Sequence, residues 1–291
     1  MEIALHMGLH CTDEDRLLKC LQKNAESLAE DGILVPSIGR YRPVIRETLQ
    51  ALKGASPSSE MQQTLIDAMV DNDHAKRIVL SHDSFLGVPG RAIENNLFYT
   101  TVAYRAPRLR ALFADCDVQL YFAIRDPASF IPEVYHRAQE SNFNAYMEGS
   151  DAQSLRWSDM IARLRQAVPE CPVTIWCNED TPLIWNQVLQ AISGHEDGVV
   201  LEGRDDFING LMAPAGAGRL ASYLAAHPPQ NEAQRRRVIE AFLDKFVITD
   251  VLEQEIDLPG WTEPYVAQLS ASYEADLAVI RQMPDVTFIE P

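Results

Sequence analysis

Ile3-Ala4-Leu5-His6-Met7-Gly8-Leu9-His10-Cys11-Thr12-Asp13-Glu14-Asp15 opens the chain and carries the reading of its fold. Residues 3–5 form a short apolar strand candidate, and residues 6–11 a loop containing Gly8. Leu17, Leu21, Ala25 and Leu28 then recur at helical spacing, with Leu18 and Ala29 beside them, until Gly32, a residue type that commonly stops a helix. Strand, loop and helix in immediate succession start an α/β unit. Thr12 is a natural N-cap and Asp15 stands three residues on, so the spacing predicts a helix closed by a capping-box-like pair.

The rest of the chain repeats the alternation. A helix is expected over 44–52 and another over about 60–70, separated by the breaker Gly54-Ala55-Ser56-Pro57. Residues 78–80 read as a buried strand ending in Ser81-His82-Asp83-Ser84, and a long helical stretch is expected over about 96–113. Residues 118–124, with Tyr121 and Phe122, give the strongest strand signal and run into Arg125-Asp126-Pro127, after which a helix should begin. Helical patterns follow over 155–168 and 182–192, with a buried strand at 173–176 between them. Residues from about 205 to 283 read as mainly helical, and 286–289 as a last strand. Short apolar strands separated by helices specify a three-layer α/β fold, a mostly parallel sheet flanked by helices. Neither an internal repeat nor a linker interrupts residues 1–291, which read as one domain.

Composition narrows the classes of function. Twenty-five Lys plus Arg against 42 Asp plus Glu leave a formal net charge of -17, which repels polyanions and argues against nucleic acid and anionic membranes as partners. Five cysteines without a Cys-x-x-Cys pair indicate reduced thiols. With no basic leader and no run of roughly 20 apolar residues, a signal peptide and a membrane span are not expected and the cytoplasm is the default location. His6, His10, Cys11 and Asp13 are metal-ligand types, but their spacing matches no metal motif, and loop packing or capping accounts for them. The four tryptophans read as core, and Arg235-Arg236-Arg237 as a solvated helix face.

The opening stretch resembles the donor-binding element of the bacterial sulfotransferase family, which has a P-loop-like fold and typically reads His-x-Gly-x-x-Lys-Thr-Gly-Thr-Thr. His6, Gly8 and Thr12 keep that pattern, while Cys11 stands at its lysine position and Asp13, Glu14 and Asp15 fill the next three. Further segments follow in family order: Asp31-Gly32-Ile33-Leu34-Val35-Pro36, Leu80-Ser81-His82-Asp83, and Arg125-Asp126-Pro127 with Tyr135 ten residues beyond Arg125. Tyr273-Glu274-Ala275-Asp276-Leu277 and Met283-Pro284-Asp285-Val286 are similar to its closing helix and strand.

The resemblance implies a sulfuryl donor, 3'-phosphoadenosine-5'-phosphosulfate (PAPS), held by His6, Gly8, His10, Cys11, Thr12 and Arg125. It also implies a 3'-phosphate position where the family's serine is replaced by Glu133. The plain alternative for Arg125 is an ion pair with Asp126 at a strand end. His82 or Asp83, at another strand end, would be the catalytic base; the plain alternative is a polar strand end capping the next turn. The donor loop presents carboxylates where it should present a lysine. The expectation is therefore a sulfotransferase-like protein with degenerate PAPS-binding motifs that lacks PAPS-dependent catalysis and acts as a binding or regulatory protein. The alternatives are a divergent active sulfotransferase acting on a hydroxyl or amine, and an acidic cleft binding a cationic, sugar or metal-linked ligand. PAPS is a cofactor only if the donor site works, and no resident metal is expected.

Overall fold

The computed structural model describes residues 1–71, 74–248 and 258–291. In chain order they form β1 Glu2–His6, α1 Arg16–Lys23, α2 Ala25–Glu30, β2 Ile33–Leu34, α3 Ile38–Leu52, α4 Ser59–Met69, β3 Arg77–Ser81, β4 Ile93–Glu94 and β5 Leu97–Phe98. They continue with α5 Val102–Ala111, β6 Asp117–Ile124, α6 Pro127–Ala138, α7 Phe143–Met147, α8 Trp157–Ala167, β7 Val173–Cys177 and α9 Thr181–Ser193. The last part holds α10 Asp206–Leu211, α11 Pro214–Ala226, α12 Glu232–Phe246, a C-terminal helix Glu263–Ile280 and β8 Val286–Ile289. The helical expectation over 249–257 lies outside the described residues.

Six strands make one sheet in the order β2-β3-β1-β6-β7-β8, and every neighbouring pair is parallel. Alternate residues of each central strand feed two cores, because successive side chains of a strand point to opposite faces. Ile3, Leu5, Ile78, Leu80, Leu120 and Phe122 pack on the face covered by α3, α4, α5, α6, α8 and the C-terminal helix. Ala4, Val79, Tyr121, Ala123 and Trp176 pack on the other, covered by α1, α2 and α9. Burial on both faces explains why these strands read as continuous apolar runs. A small satellite core of Ile208, Met212, Leu220 and Ile239 ties α10, α11 and α12 together. Among the described residues no helix is long and apolar enough to cross a membrane.

Three local expectations are corrected. The first helix is two: Asn24 interrupts it, its side-chain amide donating to the Cys20 carbonyl at 2.8 Å and the Glu202 carbonyl at 3.0 Å while its oxygen accepts from the Glu202 N–H at 2.8 Å. Anchoring a distant loop there wins over continued helix. The stretch expected as helix over 96–113 starts instead with a hairpin, β4 against β5, whose two turn residues Asn95 and Asn96 both have positive φ, the signature of a type I′ turn; helix begins only at Val102. Arg235 is not solvated: it is buried and paired with Asp205.

Candidate functional site

Parallel pairing brings the C-terminal ends of β1, β3, β6 and β7 to one edge, where open α/β sheets place their sites. His6 is in register with Ser81 on one side and Tyr121 on the other. Backbone pairing runs on into the loop, since the Met7 N–H donates to the Tyr121 carbonyl and the Ala123 N–H to the Gly8 carbonyl. Gly8 has φ +93°, and a Cβ there would lie 2.8 Å from the Asp83 Cα, so only glycine lets the loop cross the end of β3 this closely.

Beyond Gly8 the loop turns inward and satisfies itself. His10, fully buried, meets the Tyr99 hydroxyl with Nδ1 at 2.7 Å. Thr12 does not cap α1; its hydroxyl donates to the Leu9 carbonyl at 2.7 Å. The N-cap position falls on Asp15, which makes no side-chain capping bond; the Asp13 carboxylate serves the helix end instead, accepting the Leu17 N–H at 3.1 Å while its carbonyl takes the Arg16 N–H. The Lys19 N–H goes to the Asp15 carbonyl. A helix N-terminus attracts anions because its first N–H groups are unsatisfied, and here a carboxylate from the same loop occupies that place.

The other two acids are also neutralised. Asp15 pairs with Arg42 at 2.7 Å, and Arg42 also donates to the Ser81 carbonyl. Glu14 pairs at 2.7 Å with Arg137, whose other nitrogen holds Asp83. At the end of β6, Arg125 donates to the Cys11 carbonyl at 2.6 Å and to the Ser129 hydroxyl at 3.0 Å, and it forms an ion pair with Glu133. The expected pairing of Arg125 with Asp126 is therefore not found. Asp126 instead caps α6, accepting the Ala128 N–H at 2.8 Å. That helix starts at Pro127 and runs through Pro132.

Electrostatics fix the protonation states of this edge. Burial lowers the pKa of His6, and it brings His10 down to about 4 against the pull of Asp83, so both rings are neutral at pH 7. Burial, with the Glu133 carboxylate, pushes the Cys11 thiol up to about 12, which removes it as a nucleophile. Burial alone would raise the Asp83 carboxyl, but hydrogen bonds from His82 and Ser84 and the charge of Arg137 hold it well below the usual carboxylate range. A carboxylate so stabilised is a weak general base.

A cleft of about 820 Å³ opens over the ends of β1, β6 and β7, roofed by α10 and the C-terminal helix. Of the nine sequence candidates, Thr12, Arg125 and Glu133 line it. His6, Gly8, His10, Cys11, His82 and Asp83 lie behind or beside the loop, outside that lining. The walls are not purely acidic: Arg16, Lys19, Lys23 and Arg125 face Glu14, Asp126, Glu133, Glu179 and Asp206. Arg16, Lys19 and Lys23 follow helical spacing along α1, a pattern visible in the sequence but outweighed there by the three acids preceding it. Trp185, expected as core, is largely buried and also reaches the cleft, stacked on Phe207 with ring centroids 4.9 Å apart. Glu179 accepts the Asp126 N–H at 2.8 Å. Solvent reaches Glu179 from the cleft side, yet the surrounding protein removes enough water from its carboxyl to raise its pKa, with the Asp126 N–H acting the other way.

Among the described residues no group of three His, Cys, Asp or Glu side chains is arranged to hold a metal. Comparison of the chain with protein-family models, with characterised proteins and with solved structures finds no match.

Proposed function

We propose that this chain is a sulfotransferase-like protein, with the P-loop-like variant of the three-layer α/β fold, that does not use PAPS and works as a binding or regulatory protein through the cleft at the ends of its strands. The observation that carries the reading is the Asp13 carboxylate on the Leu17 N–H. It occupies the helix N-terminus where a phosphosulfate would have to sit, and a second anion there meets like charge, which costs roughly 1 kcal/mol at 4 Å in water and several times that in a cleft. Arg125, the cation the resemblance assigns to the nucleotide, is engaged by Glu133, Ser129 and the Cys11 carbonyl. Asp83, the candidate base, is tied to Arg137 and strongly acidic.

The test is incubation of the purified protein with PAPS and a panel of hydroxyl and amine acceptors. No sulfated product is expected. PAPS-dependent sulfation that disappears in Arg125→Ala would overturn the reading.

A divergent active transferase is the second reading, favoured by one observation: Arg16 and Lys19 give the cleft positive charge that the loop itself lacks. It requires the donor to sit along the side of α1 rather than at its N-terminus. Sulfation that depends on Arg16 and Lys19 would select it.

A further inference from the structure

Arg16 and Lys19 stand one turn apart on α1 and line the same wall of the cleft. Neither side chain has a carboxylate partner among the described residues, whereas Lys23 is paired with Asp206 and Arg125 with Glu133. The Arg16 guanidinium lies over the Phe207 ring, 5.3 Å from its centroid, a contact that holds it in place without neutralising it. In a chain of net charge -17, two cations without carboxylate partners give one wall of a concave site a local positive patch, and clefts concentrate such fields. Elsewhere in the lining, Glu179 presents an acceptor at the end of β7, anchored by the Asp126 N–H and near the Tyr273 hydroxyl at 3.3 Å. Trp185, Phe207 and Val266 add apolar surface to the lining. A volume of about 820 Å³ suits a small organic molecule.

We infer that the cleft binds a small amphoteric molecule with an apolar body, its anionic group held by Arg16 and Lys19 and its amine or hydroxyl donor held by Glu179. A polyanion is disfavoured by Asp126 and Glu179, which have no ion-pair partner among the described residues, and a simple cation by Arg16 and Lys19. The inference rests on the reading that no donor nucleotide fills the cleft. The anion is a phosphate or a carboxylate; the same two side chains serve either, and paired probes separate them.

The experiment is calorimetric titration of the full chain with two matched sets. One is O-phospho-L-tyrosine, phenyl phosphate and tyramine; the other is 4-(aminomethyl)benzoate, benzoate and benzylamine. In at least one set the amphoteric member is expected to bind about tenfold more tightly than either single-ended analogue. That affinity should fall about tenfold both in Arg16→Ala/Lys19→Ala and in Glu179→Gln. Arg16 and Lys19 are solvent-exposed, and the amide introduced by Glu179→Gln keeps an acceptor oxygen, so thermal unfolding should confirm that both variants fold. The inference is overturned if neither amphoteric probe binds at about 10 mM, if a single-ended analogue matches it, or if affinity survives either variant. Binding of 3'-phosphoadenosine-5'-phosphate that is lost in Arg125→Ala but kept in Arg16→Ala/Lys19→Ala would instead defeat the reading of the donor site, a separate failure.

Discussion

Asp13 does two jobs at once, closing α1 by accepting the Leu17 N–H and placing a negative charge at the helix end. Asp13→Ala should therefore destabilise the protein by about 1 kcal/mol, the usual worth of a helix cap, and Asp13→Asn, which keeps an acceptor, by less. Urea titrations of the two variants against the parent measure this; equal stability of Asp13→Ala and parent would mean the cap carries no weight. The sequence indicated that an acid-rich loop caps this helix, but it pointed to Thr12 as N-cap with Asp15 inside the first turn, whereas Asp15 holds the N-cap position and Asp13 supplies the carboxylate. The sequence could not assign these roles, because the choice depends on a backbone that takes positive φ at Cys11, Glu14 and Asp15. Such local turns are set by what the loop packs against, here the Tyr99 hydroxyl and the end of β3. His82 and Asp83 were visible as a polar strand end; that Arg137, 54 residues on, immobilises Asp83 was not.

At the scale of elements, strands were the most legible part. β1, β3, β6 and β7 appear as apolar runs because both faces of a parallel sheet are covered, and β8, a half-buried edge strand, was read from Val286, Phe288 and Ile289. The hairpin of β4 and β5 was missed because each strand is two residues long, too short to show a period, although the Asn95-Asn96 pair is a recognisable turn signal. The roof of the cleft was invisible for a different reason: α10 is placed over the site by long-range contacts, packing on α9 and α11 and touching α1 through Lys23–Asp206 and Arg16–Phe207. Gly216 of α11 in turn lies so close to α12 that an added Cβ would sit 2.5 Å from the Phe246 Cβ. Gly216→Ala should force these helices apart and cost roughly 1–3 kcal/mol, the range for overpacking. A thermal melt is the check, and an unchanged midpoint would show that α11 and α12 are not held at this distance.

For the whole molecule, acid is the condition that should reveal the buried histidines. His10 has its pKa lowered by burial to about 4, below the ordinary 6.5, and His6 is lowered in the same direction. The unfolded chain then binds more protons than the folded one between those values, so stability is fully present above about pH 6.5 and is lost as pH falls toward 4. His10 alone accounts for about 3 kcal/mol of that loss. Asp83, whose pKa is lowered as well, contributes stability present above its unfolded value that is lost only at still lower pH. Urea midpoints between pH 7 and 4.5 should fall steeply in the parent and less in His10→Gln; parallel slopes would contradict the assigned neutral state of His10. The same scale explains what composition conveyed about charge. A net charge of -17 concealed four cations gathered in one cleft, because a sum over the chain carries no positions.

The most direct test of the central claim, that the loop closed by Asp13 no longer accepts the nucleotide donor, is calorimetric titration with 3'-phosphoadenosine-5'-phosphate at low salt with metals chelated. No heat of binding up to millimolar ligand is the predicted result. Micromolar affinity that Arg125→Ala abolishes would contradict it and restore a working donor site.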